Sequence, residues 1–294
     1  MNIYVEHLSK NYGKKEALRD VSLDIRTGMY GLLGKNGAGK TTLLKILATV
    51  LGKSEGMVEI GGTSIEDVSQ VRKMIGYMPQ EFSFYPNFTV YQIMEYFCAL
   101  SQIPAKREEI ERILEELHLL EERKKWVRAL SGGMKRRLGI AVSIIHAPRI
   151  LLVDEPTVGL DPEERLNFRN MLVKLAKDKT ILLSTHIISD IADTCEKLAI
   201  LHQGTVAFAG TQKELMERMQ GKVWEFTATE EIAAAFERKQ SENGMEIVSQ
   251  KLADGHCTIR YVAEAASAAE GQSVEPRLED AYIYLINKNS EMKV

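Results

Sequence analysis

Three cysteines, Cys98, Cys195 and Cys257, are all that this chain of 294 residues holds, and no two of them form a C-x-x-C pair. That scarcity argues against a disulfide framework and against a cysteine zinc site, and it fits a reducing cytosol. Long apolar runs are missing as well. No uninterrupted stretch approaches the ~18 residues that a membrane-spanning helix needs, and residues 1–10 carry no apolar core of signal-peptide length. Any role at a membrane therefore calls for a spanning segment on another chain. A basic surplus is also lacking: 38 Lys and Arg stand against 41 Asp and Glu, for a formal net charge of −3. Nothing in that balance advertises nucleic acid or anionic lipid as a partner. Internal repeats and sustained heptads are absent too.

What is present is an ordinary globular composition, 45% hydrophobic and 27% charged, enough for one large domain and a small one. Short β-like runs at residues 3–5, 21–25 and 30–33 lead into a glycine-rich turn. Residues 41–51 then read as a helix with Leu43, Leu44, Leu47 and Leu51 on one face. Between residues 86 and 120 the pattern is helical, with Val90, Ile93, Met94 and Phe97 on one face and Ile110, Ile113, Leu114 and Leu117 on another. The charge run 121–125 reads as a solvated turn. A β/α alternation follows: strand 150–153, a helix over 162–178 opened by Pro162, and strand 180–184. Residues 198–201 and 205–209 flank a hairpin turn at His202-Gln203-Gly204, and Thr211 with Glu214 has capping-box spacing. Gly221 marks a boundary. Beyond it lie strand-like 223–228 and 258–262, a helical 231–238, and a loop rich in small residues over 263–274.

Three segments carry chemistry. Gly34-Lys35-Asn36-Gly37-Ala38-Gly39-Lys40-Thr41 fits G-x-x-x-x-G-K-[ST] between a strand and a helix, the context that gives the pattern meaning. Glycines let backbone N–H groups turn toward adjacent phosphates, and the following helix points its positive end at them. Lys40 would neutralise β/γ oxygens, and the Thr41 hydroxyl would ligate Mg²⁺. The apolar run 150–153 ends in Asp154 and Glu155. Asp154 supplies oxygen for a hard divalent cation, and Glu155 can orient or deprotonate an attacking water. Leu130-Ser131-Gly132-Gly133-Met134 opens a helix that runs to about His146, a second helix N-terminus able to face an anion. One nucleotide has no use for both helix ends unless they come from different copies, which points to a dimer.

The order of these motifs resembles the ATPase subunits of ABC transporters, over roughly residues 1–219. The resemblance implies an α/β P-loop NTPase (RecA-like) core in an ATPase domain of residues 1–220, with an antiparallel β subdomain and an inserted helical subdomain at about 86–147. Residues 221–294 would form a small C-terminal α+β extension. It also implies that ATP is held by Tyr12, stacking on adenine, by Gly34, Lys35, Asn36, Gly37, Ala38, Gly39, Lys40, Thr41 and Thr42, and by Gln80. Catalysis falls to Glu155, His186 and Lys40, and Mg²⁺ to Thr41, Gln80 and Asp154. Ser131, Gly132, Gly133 and Asp161 would serve the ATP of the other copy across a two-fold dimer. Met134 departs from the family's usual glutamine, and Lys135, Arg136 and Arg137 read as surface or interface charge.

The implied partners are an integral-membrane permease and a second copy of the chain or a paralogue, with no nucleic acid. The implied place is the cytoplasmic face of the cell membrane, held there peripherally. Phe82, Phe84, Tyr85 and Phe88 either line a groove for a short cytoplasmic helix of the permease or pack the helical subdomain. Leu278-Glu279-Asp280-Ala281-Tyr282 resembles the tail of ATPases serving ABC-2-type exporters, which suggests export. Two other readings are a soluble ABC ATPase in translation or DNA maintenance, and a non-catalytic nucleotide-binding regulator. The single P-loop and the acidic balance weigh against the first, and the intact Glu155 and His186 against the second.

Overall fold

The computed structural model describes residues 1–240, 245–264 and 271–291. The chain opens with an antiparallel hairpin, β1 (Ile3–Tyr12) and β2 (Lys15–Ile25). Both strands outrun the short stretches read from the sequence because pairing continues through bulged, exposed residues near the turn. Next comes β3 (Gly28–Leu33), then the glycine turn and α1 (Lys40–Leu47), after which β4 (Glu55–Ile60) and β5 (Thr63–Ser64) return to the first sheet. The helix expected over 41–51 ends at Leu47, and Thr49 turns to φ 57°. A β-branched residue in that region does not continue a helix.

From there α2 (Val68–Met74) leads to β6 (Ile75–Met78), followed by three helices, α3 (Val90–Leu100), α4 (Arg107–Glu116) and α5 (Gly132–Ile144). The chain continues through β7 (Ile150–Asp154), α6 (Pro162–Leu175), β8 (Thr180–Thr185), α7 (Ile188–Ala192), β9 (Lys197–His202), β10 (Thr205–Thr211) and α8 (Gln212–Met219). The helix read as 162–178 stops three residues early, capped at Ala176. The capping box at Thr211 and Glu214 is present.

The central sheet runs β10-β9-β3-β8-β7-β6, parallel except for β10. Its strands are near-continuous apolar runs because both faces are covered. Strand alternation sorts their side chains into two cores. Leu32, Leu152 and Leu182 pack with α1 and the first sheet, whereas Leu33, Val153 and Leu183 pack with the helices inserted between β6 and β7.

The chain then forms β11 (Val223–Thr229), α9 (Glu230–Gln240), β12 (Met245–Ala253), β13 (His256–Ala263), β14 (Gln272–Ser273) and α10 (Leu278–Glu291). These strands make a third sheet, ordered β12-β13-β11-β14. Of the loop expected over 263–274, residues 265–270 lie outside the described residues, Ala263 closes β13, and Gln272–Ser273 pairs with β11. Phe236, Ile259 and Tyr261 centre a small core of their own. Helix α10 does not join it: Leu278, Ala281, Tyr282 and Ile286 belong to the large core, where α10 packs near α7, α8 and β9. Among the described residues no helix is long and apolar enough to cross a membrane.

Candidate functional site

The turn after β3 is built on backbone freedom. Gly37 and Gly39 have φ of 82° and 107°, where a side chain is strained. A Cβ on Gly39 would also lie 2.7 Å from the Ala17 carbonyl oxygen. Helix α1 starts there with no side-chain cap and no acidic residue in its first turn, so its leading N–H groups remain available to an anion. Lys40 is 5% exposed. Its Nζ donates to the carbonyl oxygens of Gly34 (2.6 Å) and Lys35 (3.3 Å) and sits 3.1 Å from Glu155 Oε1.

Above this turn lies a cavity of about 640 Å³. Tyr12, Asn36, Gly37, Gly39, Lys40, Thr41, Thr42, Gln80 and Glu155 all line it, so one pocket collects nine residues singled out from the sequence. Gly34, Lys35 and Ala38 shape the turn without lining the cavity. The sequence reading missed five other wall residues: Lys15, Glu16 and Ala17 from the β1–β2 hairpin, and Gln203 and Gly204 from the β9–β10 turn. The backbone explains their arrival, since Gly204 N–H donates to Ala38 and Arg19 N–H donates to Gly204.

The two carboxylates after β7 differ in surroundings. Asp154 is fully buried, and neither carboxylate oxygen has a hydrogen-bond partner of good geometry. Burial pushes its carboxyl up, partly opposed by the nearby hydroxyls of Thr41 and Ser184. An orphaned buried carboxylate beside the Thr41 hydroxyl is a fitting donor set for a hard cation such as Mg²⁺. Among the described residues no cluster of three or more His, Cys, Asp or Glu forms a dedicated metal cage, so the remaining oxygens would come from phosphates and water.

Glu155 takes φ 48°, and its N–H donates to the Ser184 carbonyl (2.9 Å). That unusual backbone turns its 2%-exposed side chain toward the cavity. His186 Nδ1 lies 2.8 Å from Glu155 Oε2, so Glu155 stands between Lys40 and His186 at the cavity floor.

Ser131, Gly132, Gly133 and Asp161 do not reach this cavity. Ser131 caps α5, its hydroxyl accepting from Met134 N–H, and Asp161 caps α6, accepting from Glu164 N–H. Gly133 has Glu164 so close that a Cβ would lie 2.3 Å from its carboxylate.

Arg136 is more than surface or interface charge: it is half-buried and its guanidinium donates to the carbonyl oxygens of Glu155 (3.2 Å) and Val158 (2.5 Å). Burial lowers its pKa, while the charge of Glu155 acts the other way. Basic side chains at a helix start are ordinarily solvated, so composition gave no sign of this contact.

The aromatic group divides. Phe82, Phe84 and Phe88 are half-buried against the large core, with Phe82 and Phe84 edge-to-face at 5.3 Å. Tyr85 is 54% exposed while touching Phe88 and Tyr96.

With this geometry in hand, comparison with known proteins gives a consistent result. Residues 18–158 match the family model described as ABC transporter. The chain is 34% identical to an uncharacterised ABC transporter ATP-binding protein, YxlF, of Bacillus subtilis (strain 168), over 80% of this chain and 79% of that one. It is 33% identical to the bacitracin transport ATP-binding protein BcrA of Enterococcus faecalis, over 91% of this chain and 86% of that one. Among solved structures, a dimeric bacterial ABC transporter cassette superposes with a TM-score of 0.64 at 25% identity, covering 71% of this chain and 98% of that one.

Proposed function

This chain belongs to the ABC transporter family of ATP-binding proteins, and from that premise we propose that it hydrolyses ATP to power export through a separate membrane-spanning permease. The observation that carries the reading is the buried Lys40–Glu155 pair lining a glycine-built cavity, with the exposed His186 2.8 Å from Glu155. Relatives named for bacitracin transport, linearmycin resistance and Nod factor export support the export reading.

On this reading the triphosphate enters over the N-terminus of α1. Lys40 exchanges the carbonyl oxygens of Gly34 and Lys35 for phosphate oxygens, and the ion pair with Glu155 loosens as the new anion takes its share. Thr41, Asp154 and Gln80 would hold Mg²⁺, which neutralises phosphate charge when bound. Glu155 orients water and takes its proton, and His186 keeps that carboxylate in place while reaching for the terminal phosphate. Tyr12, exposed at the cavity rim, offers its ring face to adenine.

Ser131, Gly132, Gly133 and Asp161 lie apart from the pocket. A second copy would bring its own α5 N-terminus to close the site, so two ATP molecules sit between two chains. The dimeric cassette among the solved structures supports that arrangement. The ATPase unit spans residues 1–220, with inserted helices at about 86–147 and an accessory unit at 221–294. The assembly works peripherally on the cytoplasmic face of its permease.

Replacing Glu155 by Gln tests the chemistry. It should lower the hydrolysis rate by roughly 10²–10⁴-fold, the range for losing a positioned base, while ATP still binds. Hydrolysis at the parent rate would refute the assignment of Glu155 as base.

A further inference from the structure

The segments that leave β7 and β8 meet at a buried carboxylate outside the cavity. Asp190, on α7, is fully buried. Its Oδ2 accepts from the hydroxyl of Thr157, a residue 1% exposed and placed two positions beyond Glu155. Its Oδ1 accepts from Arg165 Nη2 at 3.0 Å and lies 3.6 Å from Arg169 Nη1, both arginines reaching across from α6. The same arginines bind the neighbours of Asp190. Arg165 donates to the Ser189 hydroxyl at 3.3 Å, and Arg169 donates to the Ser189 carbonyl oxygen at 3.1 Å and to Asp193 at 2.7 Å. A carboxylate can stay charged at such depth only when cations and donors satisfy it, as these do.

Asp190 stands four residues after His186. The two segments are therefore joined by two side-chain rungs, His186 Nδ1 to Glu155 Oε2 at 2.8 Å and the Thr157 hydroxyl to Asp190. His186 is exposed, so packing alone does little to hold its ring. The second rung is buried and backed by two guanidinium groups, which makes it the stiffer of the two. It sets the spacing between the start of α7 and the segment after β7, and hence the reach of His186 toward Glu155.

We propose that Thr157 and Asp190 are positioning residues for ATP hydrolysis, their hydrogen bond clamping α7 to the segment after β7 so that His186 is held against Glu155. Neither side chain lines the cavity. They act through His186 and Glu155, and Arg165 and Arg169 act through Asp190. The proposal rests on the reading of Glu155 and His186 given above and deepens it by naming what keeps the two together.

The test uses the full chain, with steady-state hydrolysis and with ATP binding followed by displacement of trinitrophenyl-ATP. Thr157→Val keeps the branched shape and removes the hydroxyl. It should lower kcat about tenfold, the scale of one hydrogen bond to a charged group, while KM and ATP affinity change less than about twofold. Thr157→Ser restores the hydroxyl and should return kcat to within about twofold of the parent. A parent-like kcat in Thr157→Val would overturn the proposal, and so would a Thr157→Ser chain as slow as Thr157→Val. A loss of ATP affinity as large as the loss of kcat would overturn it too, because a loosened site gives that pattern and a misplaced His186 does not. Should Thr157→Val fail to fold, the near-isosteric Asp190→Asn takes its place with the same expected split, and a parent-like kcat there overturns the proposal. A parent chain that binds ATP without hydrolysing it would instead overturn the reading on which the proposal rests.

Discussion

Arg136 and Glu155 meet through a main-chain carbonyl, and that contact joins two functions within one chain. Arg136 follows Gly132 and Gly133, which would serve the partner copy's ATP, yet it donates to the carbonyl oxygens of Glu155 and Val158, the segment that carries the proposed base. In the proposed dimer this contact would couple the α5 helix end to Glu155. Charged hydrogen bonds of this kind contribute about 1.5–3 kcal/mol each. Arg136→Met should accordingly lower kcat about 10- to 100-fold with KM for ATP little changed, as steady-state kinetics would reveal. A rise in KM at constant kcat would place Arg136 in binding instead.

Residues whose chemistry demands a particular type were legible in the sequence: the glycines of the turn, Lys40 and the Asp154-Glu155 pair. Arg136 was not, because a basic side chain announces its charge and says nothing about which carbonyl oxygens it will find.

Among elements, the strands and helices bounded by strong patterns came out close to their sequence reading, whereas ends set by local backbone did not. The turn at Thr49 shortened α1, and pairing through exposed residues lengthened β1 and β2. The pocket walls at Lys15–Ala17 and Gln203–Gly204 come from the start of β2 and the β9–β10 turn, which tertiary packing lays against the P-loop. No local pattern encodes such a meeting.

The segment between β6 and α3 shows the same limit. Its aromatic crowding was plain, but only the structure separates the half-buried Phe82, Phe84 and Phe88 from the exposed Tyr85. An exposed aromatic ring with aromatic neighbours is the kind of anchor that interfaces use, and this one follows Gln80 closely. Tyr85→Ala should sharply reduce transport in the assembled complex while its ATP hydrolysis continues. Transport at the parent rate would remove Tyr85 from the permease contact.

The whole molecule is asymmetric about its nucleotide. The P-loop residues and Glu155 line one cavity, with His186 beside Glu155. The helix end at Ser131–Gly133 lies outside that cavity. Two such molecules related by a two-fold axis would each complete the other. In the proposed dimer, phosphate would be the shared anion between two positive helix ends, and cleavage would remove the reason for closure.

Sedimentation velocity on the Glu155→Gln chain tests this account most directly. With saturating ATP and magnesium the variant should sediment as a dimer and return to monomer when nucleotide is removed. A variant that binds ATP yet stays monomeric under those conditions would contradict the claim that two copies share the nucleotide.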